Sequence, residues 1–236
     1  MKIVFIGNIY FSYILLKAIF LFNSKVIKGV VTNNNKEKSD YFDLKKFCKK
    51  KKIEYIISNN INSKISEQWI KKKKPDLICC FGWSDLIKKR ILDIAKIGSL
   101  GYHPTNLPYN RGRHPIIWTL VLGIKSTYSS FFFMNEKADF GHIIDQKKVK
   151  INNQDNSWKV YKKLSKIASK QLIKVLNHIQ DKPNFYGRKR KSSVLKNKYN
   201  FWRKRDINDG KIDWRMSSSS IFNLVRALDK PFPGSF

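Results

Sequence analysis

The 236-residue chain carries 48 Lys and Arg against 17 Asp and Glu, a net charge of +31, with 42% hydrophobic and 14% aromatic residues. That length and apolar content suit one full-size domain with at most a small appendage, and they exclude a globally disordered chain. No stretch reaches the roughly 18 uninterrupted apolar residues of a membrane span, and Met1–Gly7 reads as a first strand rather than a leader peptide, so the expected location is the cytoplasm.

In chain order, Lys2–Gly7 is a short β-rich run, Phe11–Phe22 carries apolar residues at helical spacing, and Lys25–Val31 is a second strand ending in the polar loop Thr32–Ser39. Tyr41–Lys51 reads as a helix, Ile53–Ile57 as a third strand, and Ile65–Lys73 as a helix whose basic end sits where the dipole favours cations. Pro75–Phe81 is a fourth strand, apolar throughout apart from Asp76. Strands alternating with helices at this pitch predict an α/β, Rossmann-like, mostly parallel sheet with helices on both faces. The ligand crevice of such a sheet lies beyond the carboxyl ends of its strands, here Gly7-Asn8, Thr32–Asn35, Phe81–Asp85 and the segment after Leu100. The chain continues with a strand (Ile97–Tyr102), a helix (Ile116–Leu122), strands Ser126–Phe133 and Ile143–Ile151, and a long amphipathic helix, Trp158–Ile179. Residues 1–182 are read as the main domain. Residues 183–236, opening on the basic run Gly187–Lys191, are read as a small C-terminal extension wrapped on it.

Three features bound the chemistry. The loop after Gly7 has no second or third glycine and no Gly-Lys-Ser/Thr, which disfavours a nucleotide-cofactor Rossmann enzyme or a P-loop ATPase. Cys48, Cys79 and Cys80 are odd in number and read as buried thiols of a reducing compartment. The charge rests on 39 Lys and only nine Arg, beside 29 Ile and 20 Asn, all A/T-rich codons apart from the scarce Arg; base-composition drift explains it without a polyanionic partner.

The densest cluster of polar chemistry is Gly101–Pro115, where a strand runs into a loop stiffened by Pro104, Pro108 and Pro115. A stiff loop at a strand's carboxyl end can aim one imidazole, and His103 stands at its start. His103, His114, His142 and His178 show no ligand spacing, so no metal is expected, and His114 and His142 read as structural.

The stretch His103-Pro-Thr-Asn-Leu-Pro, followed by Arg111-Gly-Arg-His-Pro and Trp118, resembles the formyltransferase family that uses 10-formyltetrahydrofolate. That family includes methionyl-tRNA, glycinamide ribonucleotide and sugar N-formyltransferases. Asp139-Phe-Gly-His-Ile143, with Gln146 beyond it, resembles the family's Asp-x-Gly-x-Ile, and Phe81-Gly-Trp-Ser resembles its pterin-side loop. Asp209–Trp214, Asn223–Leu228 and Pro231–Phe236 resemble the segment after the catalytic domain, which in relatives continues, so the extension is read as truncated. The resemblance implies His103 and Asp139 as catalytic pair and 10-formyltetrahydrofolate as co-substrate. It further implies Phe81, Gly82, Trp83, Leu86 and Gly141 on the folate side, and Arg111 and Arg113 on the acceptor side.

Formyl transfer asks for a base toward the attacking amine, an oxyanion donor and an acid for the leaving nitrogen; His103 poised by Asp139 suits the proton steps. The family's Asn, two residues before its His, is Gly101 here, which leaves the oxyanion to Asn106 or another group, or leaves the chain a catalytically impaired binding relative. For the acceptor, Thr32–Asp43 lacks the longer basic insertion with which methionyl-tRNA formyltransferases grip tRNA, and the Arg111–Pro115 motif looks more like the sugar group. The expected partner is therefore a nucleotide-linked amino sugar, with tRNA the less favoured acceptor, no membrane, and a homodimer left open.

Overall fold

Four apolar residues in succession form β1 (Ile3–Ile6), all of them buried, as a strand covered on both faces requires. The chain then alternates through α1 (Tyr10–Asn23), β2 (Ile27–Thr32), α2 (Leu44–Lys50), β3 (Tyr55–Ile57), α3 (Lys64–Lys72), β4 (Leu77–Cys80), α4 (Lys89–Leu92) and β5 (Gly98–His103). A two-residue β6 (Arg111–Gly112) precedes α5 (Pro115–Val121), β7 (Ser126–Phe133), β8 (Ile143–Lys150), α6 (Ser157–Asp181), β9 (Phe201–Trp202) and α7 (Ser218–Ala227). This computed structural model describes residues 1–36, 39–182 and 200–236; the basic run Gly187–Lys191 lies outside the described residues.

Seven strands form one sheet in the order β3-β2-β1-β4-β5-β7-β8. The first five run parallel, while β7 is antiparallel to both β5 and β8. The sheet is thus mostly parallel, as expected, with an antiparallel hairpin at one edge. One face is covered by α1, α2 and α6 around Phe5, Leu15, Leu16, Leu77, Phe131 and Leu172. The other is covered by α3 and α4 around Val4, Ile6, Ile70, Ile78 and Ile91. The three cysteines are buried, and burial pushes the Cys48 thiol up to about 12, so it stays a protonated core residue.

The strand order reverses between β1 and β4, which opens a crevice beyond their carboxyl ends. Ser12, in the first turn of α1, ties the two ends together: its hydroxyl accepts from the Ile9 amide (3.2 Å) and donates to the Phe81 carbonyl (2.6 Å).

Element ends differ from the sequence reading where a cap decides them. Asp43 caps α2 by accepting from the Lys45 amide, so that helix starts at Leu44 and not at Tyr41, which bridges to Ile9 instead. Asn156 caps α6 through the Lys159 amide and starts it at Ser157. The extension, read as weakly periodic, contains α7, whose Leu224 and Ala227, with Leu228 just beyond, pack with Ile117, Leu120 and Leu164 in a third apolar cluster. Its β9 pairs in parallel with β6, inside the His103 loop region, so residues 200–202 belong to the same edge as the crevice.

Candidate functional site

His103 is the last residue of β5 rather than a loop residue, and only 5% of it is exposed. The loop behind it is fixed carbonyl by carbonyl. Thr127 donates to the Pro104 carbonyl (2.6 Å), Ser130 to that of Thr105 (2.6 Å), and Gln146 to that of Leu107 (3.0 Å), while the Asn106 carbonyl accepts from the Tyr109 amide (2.8 Å). The register explains this: His103 lies opposite Ser130, and Ser130 opposite Gln146, so the three share one face of the sheet.

The imidazole has two named neighbours. Nε2 lies 3.1 Å from the Asn110 carbonyl, and Nδ1 lies 3.6 Å from Asp139 Oδ1. Both neighbours can only accept, and of the two contacts only the one at Nε2 is within hydrogen-bond distance, so the geometry places the proton of the neutral ring on Nε2 and the lone pair on Nδ1. A proton taken up at Nδ1 would sit beside Asp139, which is the arrangement of a base with a nearby anionic partner.

Asp139 occupies a turn in the left-handed region (φ +59°), which Asp tolerates better than most residues. Its Oδ2 accepts from the Gly112 amide (3.2 Å) and its carbonyl from Arg111 Nε (2.9 Å). Arg111 was expected on the acceptor side. It is buried, its guanidinium carbon 3.5 Å from the Phe140 ring centroid, so its hydrogen bond and stacking act on the Asp139–Phe140 turn. Gly141 has no alternative there: a Cβ would fall 1.4 Å from the Phe133 carbonyl oxygen.

The remaining candidates divide. Phe81 is fully buried, edge-on to Phe5 and Phe131, so its ring belongs to the core and offers the crevice no surface. Trp83 is half-buried against the α3–α4 cluster, whereas Leu86 is 62% exposed, an apolar side chain of the kind a flat ring covers. Arg113 is exposed and bridges to this loop through the Ser84 carbonyl (2.7 Å). Gly101 has ordinary strand backbone, and the space its Cβ would need is taken by Met134 Cγ (2.8 Å) and Phe132 Cζ (2.9 Å). A positive φ therefore does not explain Gly101; crowding from Phe132 and Met134 does.

Sequence reasoning missed a cationic corner next to this site. Trp118 of α5 lies between Arg203 and Arg205 (ring centroid to guanidinium 5.5 and 4.9 Å) and donates its indole N–H to the Arg203 carbonyl. His114, with φ +54°, is held below its ordinary pKa by burial first and then by Arg113, Arg205 and Lys204, which keeps it neutral. The signal was available: on a chain with nine Arg and 39 Lys, Arg203-x-Arg205 stands out. Among the described residues no three His, Cys, Asp or Glu gather as a metal site, and no helix is long and apolar enough to cross a membrane.

The profile of the formyl transferase family matches residues 1–176, and that of the formyl transferase C-terminal domain matches 205–236. The bifunctional polymyxin resistance protein ArnA of Wigglesworthia glossinidia brevipalpis is 33% identical over all of this chain, which spans 36% of that protein's length. Methionyl-tRNA formyltransferase of Halothermothrix orenii is 30% identical, again over all of this chain and over 74% of its own length. In three dimensions the N-formyltransferase of Helicobacter canadensis, solved with folinic acid and dTDP-3-aminofucose, matches with a TM-score of 0.71 over 96% of this chain and 80% of that one, at 19% identity. With a family profile matching three quarters of its length, in the register that puts His103 beside Asp139, the chain belongs to the formyl transferase family.

Proposed function

We propose that this protein transfers the formyl group of 10-formyltetrahydrofolate to the primary amine of a nucleotide-linked amino sugar. The observation that carries the chemistry is the His103–Asp139 pair, with Nδ1 3.6 Å from the carboxylate and Nε2 on the Asn110 carbonyl. As the amine nitrogen bonds to the formyl carbon, its proton passes to His103 Nδ1, and the Asp139 carboxylate 3.6 Å away stabilises the resulting cation. The tetrahedral carbon then releases the N10 nitrogen of the folate, which takes the proton back from His103, leaving tetrahydrofolate and the N-formyl product. Asn106, on the loop whose Pro104, Thr105 and Leu107 carbonyls are engaged elsewhere, is the candidate oxyanion donor in place of the side chain Gly101 lacks.

Leu86 and Trp83, on the loop that Gly82 opens, suit the flat pterin, and the backbone at Gly82 reaches φ +72° to turn that loop outward. For the acceptor, Arg113, Lys204 and Arg205 gather around His114, a fixed cationic corner of the kind that takes a diphosphate. The segment after β2 is short, and its described ends are held where Asn8 donates to Asn33 (2.6 Å) and Tyr161 to Asp40 (3.0 Å); a segment of that length suits a small acceptor better than an RNA stem. The dTDP-aminosugar bound to the Helicobacter canadensis neighbour points the same way. The second reading, methionyl-tRNA formylation, draws on the 30% identical relative and the +31 charge.

The test follows tetrahydrofolate release with 10-formyltetrahydrofolate and a panel of dTDP- and UDP-linked amino sugars, beside initiator methionyl-tRNA. Turnover with a nucleotide sugar is expected. Turnover with the tRNA alone, together with binding that falls steeply across a salt series, would replace the sugar reading with the RNA one.

A further inference from the structure

The imidazole of His103 takes its orientation from a residue 90 positions away from its carbonyl partner. Asn200, just before β9, accepts from the Asn110 amide through Oδ1 (2.8 Å) and donates from Nδ2 to Asn110 Oδ1. Asn110 holds left-handed backbone (φ +56°), which Asn, like Asp, adopts more readily than most residues and which turns its carbonyl toward the ring. Its carbonyl is the acceptor for His103 Nε2. The strap continues beyond Asn200: β9 pairs with β6, and the Arg113 amide donates to the Trp202 carbonyl (2.9 Å).

We propose that Asn200 is a positioning residue for His103, fixing the Asn110 carbonyl and through it the Nε2–H tautomer that leaves Nδ1 free to act as base. The competing tautomer carries the proton on Nδ1, where Asp139 Oδ1 would accept it at a small movement from the present 3.6 Å. That form has no lone pair on the side of the carboxylate, so the proton route closes. The two bonds from Asn200 hold the backbone that prevents this. A residue of the C-terminal segment thereby sets the protonation geometry of a side chain at the end of β5. The consequence for rate rests on the formyl-transfer reading; the consequence for the tautomer does not.

Two measurements on the full chain keep these apart. With four histidines in the sequence, 15N-labelled imidazole spectra can be assigned by comparison with His103→Gln. In the unmodified protein neutral His103 is expected with a pyrrole-type Nε2 and a pyridine-type Nδ1. In Asn200→Ala the two shifts should move toward each other as the Nδ1–H form enters. Asn200→Asp retains acceptors for the Asn110 amide and, after an amide flip, for its side chain, and should restore the original pattern. With the acceptor that turns over, Asn200→Ala should lower kcat by about ten- to a hundredfold with KM for the folate within about twofold, as loss of a correct tautomer does elsewhere. Unchanged His103 shifts in Asn200→Ala overturn the proposal whatever the enzyme does. Equal damage in the Ala and Asp variants, tracking a fall in Tm, also overturns it by making Asn200 a structural strap only. Should no amine be formylated at all, the spectra still decide the tautomer.

Discussion

β5 divides the sheet into two unlike halves. On one side lies β4, four residues without a hydroxyl or charge, every one buried, in parallel register with Gly98–Gly101. On the other lie β7 and β8, whose Thr127, Ser130 and Gln146 send hydrogen bonds to the carbonyls of Pro104, Thr105 and Leu107. The parallel half is held by apolar burial, which is strong and indifferent to direction. The hairpin half uses bonds that are individually weak but directional, and they converge on the loop behind His103. Stability and aim are therefore carried by different sides of the same strand.

The comparison breaks most visibly at the shared strand end. His103→Ala should reduce formyl transfer by about 10²- to 10⁴-fold, the range for loss of a general base, while folate binding measured at equilibrium changes little. Since His103 is buried, some loss of Tm is expected too, and it is the rate per folded molecule that decides. Activity retained within threefold would move the base elsewhere.

Leu77→Ala and Gln146→Leu set the two halves against each other. The first removes a fully buried side chain from β4 and should cost about 2–5 kcal/mol of unfolding free energy with kcat unaltered. The second removes bonds to Leu107 and Ser130, costs about 1 kcal/mol, yet should slow turnover about tenfold because the loop loses its register. Chemical denaturation and single-turnover kinetics on the same samples check both; a reversed pattern would mean that the halves do not divide the work in this way.

Gly101→Asn addresses a position on β5 that the hairpin half crowds. The side chain must enter space held by Phe132 of β7 and by Met134, so overpacking of about 1–3 kcal/mol is expected, a Tm lower by several degrees, and a reduced rate. A rise in the single-turnover rate instead would show that the enzyme lacks an oxyanion donor and that Phe132 yields easily.

How far the sequence disclosed this division depends on the range of the forces involved. The apolar runs Ile3–Ile6 and Leu77–Cys80 and the helical spacing of Val160, Leu164, Ala168 and Leu172 are local patterns, and they identified the parallel half and α6 directly. His103, Asp139 and their partnership came from motif resemblance, and the 3.6 Å approach accords with it. Phe81 was expected on the folate side because Phe81-Gly-Trp-Ser resembles the family's pterin-side loop; in the fold its ring turns into the core between Phe5 and Phe131. Arg111 was expected on the acceptor side from the same resemblance, whereas in the fold it stacks on the Phe140 ring and donates to the Asp139 carbonyl. Asn200 left no trace, because an amide paired with another amide 90 residues away has no periodicity, charge or spacing to betray it.

The smallest effect tests whether the C-terminal corner resembles the hairpin half in being held by directional polar contacts. Hydrogen bonding from the Arg203 guanidinium, the largest cause, carries the Asp209 carboxyl down to about 2, against partial burial and with help from the Asp206 amide. The folded pKa lies below the unfolded value of roughly 4, so the pair contributes its full stabilisation above about pH 4. That contribution is lost as pH falls through 2, below which the carboxyl is protonated in both states. Asp209→Asn should therefore lower Tm by a degree or two at pH 6 and approach the unmodified protein as pH falls through 2, the difference shrinking mostly between pH 4 and 2. Comparing the two curves removes the other 16 acidic residues, which titrate alike in both chains. A constant offset down to low pH would assign the loss to packing, and the corner would then be held as the parallel half is, without regard to charge.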